Sequence, residues 1–256
     1  MLNKAKTMQG YKLHGKDGEL GTVREFYFDD NHWTILYLVV DTGTWLTGRQ
    51  VLISPYAVTS VQHEARYISV ELTKWQIEQS PSLDSDKPVS RQFEEAYHDY
   101  YKFPVYWGGA FAWGPYSFID RNQERREEPV RVPKEWDRNL LSTEDVTNHH
   151  IQALDGEVGY VEDFIIDDEN WAIRYLIVST NNWLPGKHVL LSTRWIQSVS
   201  WNEQKVFVGL TRDAIKNSPE FSAHSLLTRE YEIGLHRHYD RHGYWLDDLE
   251  VVKSAL

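Results

Sequence analysis

Apolar residues in this chain come in short bursts rather than long runs, and each burst is closed by Gly, Asp, Asn or Pro. The strongest burst, Ile35 to Val40, is six residues long and rich in β-branched side chains. It is too short to span a membrane and reads as a buried strand. Trp33, Ile35, Leu38 and Val40 are accordingly expected in a core. Around it the alternation predicts further strands at Tyr11–His14, Leu20–Phe28, Gln50–Ile53, Val58–Gln62 and Tyr67–Leu72. Turns are expected at Gly15-Lys16-Asp17-Gly18 and Asp29-Asp30-Asn31, where glycine supplies positive φ and short acids cap their own backbone. Six strands with short links are best satisfied by closure into a small barrel, which removes exposed edges.

The pattern then returns. Asp17-Gly18-Glu19-Leu20-Gly21 matches Asp155-Gly156-Glu157-Val158-Gly159, and the same offset of 138 (155 − 17) pairs Trp33 with Trp171 and Trp45 with Trp183. Between residues 17–61 and 155–199 there are 22 identities in 45 positions, without a gap. Chance likeness of two β-rich stretches would not keep glycines, tryptophans and turn acids in one register, so the chain is an internal duplication.

Beyond each set of strands the period changes to that of a helix. Thr73 is placed to cap a short helix ending near Ser80-Pro81, and Ser90 a longer one carrying Phe93, Tyr97, Tyr100 and Tyr101. Its counterpart starts near Thr228 and carries Tyr231, Leu235, His238 and Tyr239. The predicted fold class is therefore all-β with short helices: two tandem six-stranded barrels, each followed by a helical aromatic tail. The predicted domains are residues 1–107 and 139–256, joined by a linker over 108–138 that is rich in glycine, proline and charge. The apolar Phe111, Trp113, Tyr116 and Phe118 make that linker a segment expected to lie against a barrel.

Composition narrows the function classes. The formal charge is −11, made up of −3 in residues 1–107 (11 basic, 14 acidic), zero in the linker, and −8 in residues 139–256 (10 basic, 18 acidic). That balance disfavours direct nucleic-acid binding, which relies on clustered Lys and Arg. There is no cysteine, which excludes disulfides, thiolate metal sites and a cysteine nucleophile. The first residues lack the apolar core of a signal peptide, and a cytoplasmic location without membrane insertion is expected. No Walker-type loop, GxSxG, HExxH or Rossmann fingerprint is present, so the chain is not read as an enzyme and no cofactor is assigned.

Two stretches are candidate sites. His238 and His242 fall at i and i+4, as two metal ligands on one helix face would; a solvated or packing helix is the alternative. The acidic cluster Glu162, Asp163, Asp167, Asp168 and Glu169 is open to a hard cation or, more simply, to a hairpin turn. His149-His150 reads as surface. The aromatic tails carry the interaction reading, through Tyr97, Tyr100, Tyr101, Tyr106, Trp107, Tyr231, Tyr239, Tyr244 and Trp245. Packing of each tail on its own barrel is the competing account.

The residues DGELG, VREF, DD, the buried strand YLVVDTG, WL-G and VLIS-P together resemble the PRC-barrel family. The resemblance covers roughly residues 8–80 and 146–218. That family includes the cytoplasmic domain of the photosynthetic reaction-centre H subunit and the C-terminal domain of a ribosome maturation factor. It implies the barrel fold strongly and a function only weakly. The expectation is a non-catalytic interaction or scaffold protein whose partner is another protein, a second copy of itself included. A small-molecule or metal-responsive regulator is the alternative, and an accessory factor in RNA or ribosome maturation the third.

Overall fold

The computed structural model describes residues 1–81, 89–107, 140–180, 187–222 and 227–246. The chain forms two compact units. The first gathers Met1, residues 3–144 and 166–173; the second gathers Leu2, residues 145–165 and 174–256. The expected linker packing of Phe111, Trp113, Tyr116 and Phe118 lies outside the described residues.

In the first unit the chain opens with β1 (Leu2–Lys4) and α1 (Ala5–Met8), two short elements that the periodicity did not predict. Six strands follow: β2 (Lys12–Gly15), β3 (Gly18–Asp29), β4 (Thr34–Asp41), β5 (Gln50–Ile53), β6 (Val58–Gln62) and β7 (Tyr67–Val70). They are hydrogen-bonded in the order β5-β4-β3-β2-β7-β6. All neighbours are antiparallel except β2 and β7, which run parallel with Lys12 opposite Tyr67 and His14 opposite Ser69. Among the described residues no ladder joins β5 to β6; the seam is spanned by a single 3-10 turn at Pro55–Ala57, capped by the Ser54 side chain.

Register shifts in β3, between Val23 and Glu25 and between Tyr27 and Phe28, let one long strand curl around the core. Gly21 enforces the curl. Its φ is +154, and a Cβ there would meet the Asp41 carbonyl oxygen at 2.3 Å; Gly159 meets Ser179 in the same way at 2.0 Å. Every residue of β4 but Asp41 is buried, so this strand is covered on both faces.

Trp33 and Trp171 are core residues, 7% and 1% exposed, yet neither belongs to the strand. Both occupy the left-handed region, at φ 52 and 61, where they end the preceding turn. The Asp29-Asp30-Asn31 turn forms as expected: Asp29 accepts from the His32 amide at 3.0 Å and from Asn31 Nδ2 at 3.2 Å.

After β7, Thr73 makes a capping box with Gln76 at the head of α2 (Lys74–Glu78), and Ser90 caps α3 (Arg91–Tyr101). A short strand β8 (Leu140–Ser142) then pairs with β3 inside the same unit, ahead of a one-turn α4 (Thr143–Val146). The second copy repeats the plan with β9 (His150–Ala153), β10 (Gly156–Asp167), β11 (Ala172–Ser179), β12 (His188–Ser192), β13 (Ile196–Ser200) and β14 (Lys205–Val208), of which residues 166–173 belong to the first unit. Its order, β12-β11-β10-β9-β14-β13, is that of the first unit, again with one parallel pair, β9 and β14. The helices α5 (Arg212–Lys216) and α6 (Arg229–His238) are capped by Thr211 and Thr228.

Candidate functional site

The polar chemistry of this molecule is concentrated where each tail helix meets its barrel. Tyr37 on β4 is fully buried, and its hydroxyl donates to Glu94 Oε1 at 3.1 Å and lies 2.9 Å from His98 Nε2. Tyr106, beyond the end of α3, donates to the same Glu94 oxygen at 2.6 Å. Arg91, one helical turn before Glu94, reaches its other oxygen at 3.3 Å. The Arg91 guanidinium also lies 5.3 Å from the Tyr106 ring and 4.2 Å from the Trp107 ring. The spacing of three and four brings Arg91, Glu94 and His98 to one face of α3.

The second unit holds the same cluster, residue for residue, at the 138 offset. Tyr175 donates to Glu232 Oε1 at 2.8 Å and lies 3.1 Å from His236 Nε2. Tyr244 donates to Glu232 Oε1 at 2.9 Å, and Arg229 reaches Oε2 at 2.9 Å. Arg229 covers Trp245 at 4.3 Å, as Arg91 covers Trp107. A further cation, Arg174, sits 3.9 Å from the Tyr244 ring, at the position that Leu36 holds in the first copy. His236 Nδ1 donates to the carbonyl of His242 at 3.0 Å, which fixes its ring.

Burial dominates the electrostatics. It pushes the His98 imidazole down to about 4 and lowers His236, so both rings are held neutral. Burial raises Glu232, against the opposing pull of the Tyr175 and Tyr244 hydroxyls and Arg229. Tyr37 and Tyr175 are driven far up by burial and by the carboxylate beside each. These groups are arranged to hold one another rather than to meet solvent.

The remaining aromatic candidates lie on the same joints. The Tyr97 hydroxyl accepts from the Ser54 amide at 2.8 Å, and the Tyr100 hydroxyl donates to the Gln76 carbonyl at 2.8 Å. Tyr101 stacks on Phe103. Tyr231 donates to the Pro219 carbonyl at 3.3 Å, and the Tyr239 ring packs 4.5 Å from Trp195. Trp107 and Trp245 are half-buried, each edge-on to its histidine, His98 or His236.

The histidine pair separates. Helix α6 ends at His238 and the chain turns through Asp240 at φ 52, so His242 does not follow on the same helix face. His238 Nε2 donates to the Ala214 carbonyl at 2.8 Å, the position that Tyr100 fills in the first copy. The acidic cluster also disperses: Glu162 pairs with His188, and Asp163 caps the Phe164 amide. Asp168 takes the Met1 amine, Asn3 at 3.2 Å and His63 at 2.5 Å, all inside the first unit. Among the described residues no group of three or more His, Cys, Asp or Glu side chains is placed to hold a metal ion. His149, expected at the surface, is buried edge-on against Trp201.

The residues that pattern reasoning missed are Tyr37, Arg91, Glu94 and His98 with their copies. The signal was present, because all four pairs keep their identity at the 138 offset, and on the tail helices the residues flanking Arg91, Glu94 and His98 change. No curated protein matches this chain. The family model for the PRC-barrel domain matches residues 5–76 and 153–214, one copy in each half of the duplication. The two matches together span more than half of the 256 residues, and the chain belongs to the PRC-barrel family.

Proposed function

We propose that this is a non-catalytic scaffold or protein-interaction protein in which two PRC-barrel domains present surfaces to another protein, a second copy of the chain included. The supporting observation is the duplicated joint: the clustered Arg, Glu, His and Tyr side chains bond to one another in both units with the same partners. Groups bound in this way stabilise a module and are withdrawn from reacting with a substrate. The apolar residues left outside include Trp75 on α2 at 67% exposure along with aliphatic Leu154 and Leu246, with Trp107 and Trp245 half-covered. Tryptophan is a favoured anchor of protein interfaces. The acidic charge makes a protein partner a better match than nucleic acid. The cysteine-free composition suits a reducing compartment, and we place the chain in the cytoplasm.

Sedimentation velocity over a concentration series tests the self-association branch, on wild type and on Trp75→Ala, Trp107→Ala and Trp245→Ala. Concentration-dependent assembly lost in at least one variant is the expected result. Assembly unchanged in all three removes these aromatics from the interface.

A regulator reading draws on one feature of the first unit alone. Asn3, Tyr11, His63 and Asp168 form a polar cluster, with the Tyr11 hydroxyl 3.3 Å from His63 Nδ1. At the 138 offset the second copy has Leu141, His149, Trp201 and, on the acid side, Asp30.

A further inference from the structure

The two joints share their Arg–Glu–Tyr–His cluster and differ in the aromatic packed beside it, and the difference is reciprocal; Tyr97 alone adds a bond to the barrel, accepting from the Ser54 amide. In the first unit the rings of His98 and Tyr101 are packed by Tyr97, at 5.6 and 4.8 Å, an aromatic supplied by the tail. In the second unit the corresponding rings, His236 and Tyr239, are packed by Trp195, at 5.2 and 4.5 Å, an aromatic supplied by the barrel. Where the first tail has Tyr97 the second has Leu235, and where the second barrel has Trp195 the first has Ala57. All four residues are buried, so each exchange of size is made inside a filled interior.

We propose that each barrel is a keyed socket that accepts only its own kind of tail. The common Arg–Glu–Tyr–His set gives both joints the same grip and cannot tell the tails apart. Selection falls first to the exchanged ring, carried by the tail in the first unit and by the barrel in the second; Phe103, which stacks on Tyr101 and Tyr56 and is replaced by Arg241 in the second tail, adds to the first joint alone. A first-type tail in the second socket brings Tyr97 and Trp195 to one place and overfills it. A second-type tail in the first socket sets Leu235 against Ala57 and leaves a void where a ring belongs. Both mismatches are costly in a close-packed interior. The partner that fits a vacated socket is therefore the like tail of a second copy of this chain, never the other tail.

A double-mutant cycle in the full-length protein reads this directly. Ala57→Trp overfills the first socket and Tyr97→Leu empties it; each is expected to lower the melting midpoint by about 5 °C or more. The pair together recreates the second unit's arrangement and is expected to melt above either single variant. Trp195→Ala and Leu235→Tyr form the mirror cycle in the second unit, with the same expectation. As an independent arm, residues 90–107 are replaced by the sequence of residues 228–245, which is of equal length. This chimera is expected to melt low and to recover when Ala57→Trp is added. A double variant no more stable than its worse single variant, in either unit, overturns the proposal. So does a chimera that melts as wild type.

Discussion

Tyr37 and Tyr175 each have one hydroxyl proton and two acceptors within reach, a carboxylate oxygen and an imidazole nitrogen. Removing the hydroxyl takes one donor from the buried carboxylate, which keeps Tyr106 or Tyr244, and leaves the histidine Nε2 without its neighbour. Tyr37→Phe and Tyr175→Phe are each expected to cost about 1–3 kcal/mol in a urea titration, although the ring and its packing remain. The pH dependence follows from the same burial. Because the folded His98 titrates near 4 and an unfolded histidine near 6.5, only the unfolded chain binds the proton between those values. Its contribution is therefore complete above pH 6.5 and is lost as the pH falls toward 4, by roughly 3 kcal/mol in all. His236 acts in the same direction, whereas the raised Glu232 contributes stability that is lost as the pH rises above about 4.5. Urea midpoints of wild type and His98→Gln, compared from pH 7.5 to pH 4, should show a shallower slope for the variant. Trp171, 1% exposed, is expected to cost about 3–5 kcal/mol when cut to alanine, and a loss below about 1 kcal/mol in a denaturant melt would remove it from the core.

At the scale of elements, most of the fold was legible because its signals are local. Gln50–Ile53 and Val58–Gln62 form over the residues expected, and Thr73, Ser90 and Thr228 cap the helices expected of them. Two things escaped. The strands β1 and β8 are three residues long, too short for any alternation to register, and β8 exists because β3 offers it an edge. Trp33 reads as a core residue and is one, but the left-handed backbone that ends the turn and aims its indole at Phe28 leaves no mark in the hydrophobic pattern. The joints were legible as aromatic tails but not as Glu-centred clusters, since Tyr37 and Glu94 are 57 positions apart. One further bond recurs in both units. Arg49 reaches the carbonyls of Glu78 and Ser80 at the end of α2, and Lys187 reaches those of Lys216 and Ser218 at the end of α5. Cations belong at helix C-termini, and Arg49→Ala and Lys187→Ala are each expected to cost about 1 kcal/mol in chemical denaturation.

For the molecule as a whole, the parallel pairing of β2 with β7 sets the order of events in folding. Lys12 and Tyr67 are 55 positions apart (67 − 12), so that ladder cannot close until the strands between them have been gathered in. Late, long-range closure slows folding and prolongs the life of unpaired edges. Duplication adds a hazard: while both edges are open, the β2 segment meets two partners of the same alternating burial pattern, residues 67–70 and 205–208. A swapped ladder would trap a compact but wrong chain, the characteristic failure of tandem repeats. Refolding from urea is therefore expected to be biphasic, with a slow phase from molecules that must first undo the wrong pairing. A variant with a mismatched β7, Ile68→Lys, would lose native stability, but the copy change Ile68→Val, matching Val206, should enlarge the slow phase at little cost to the native state.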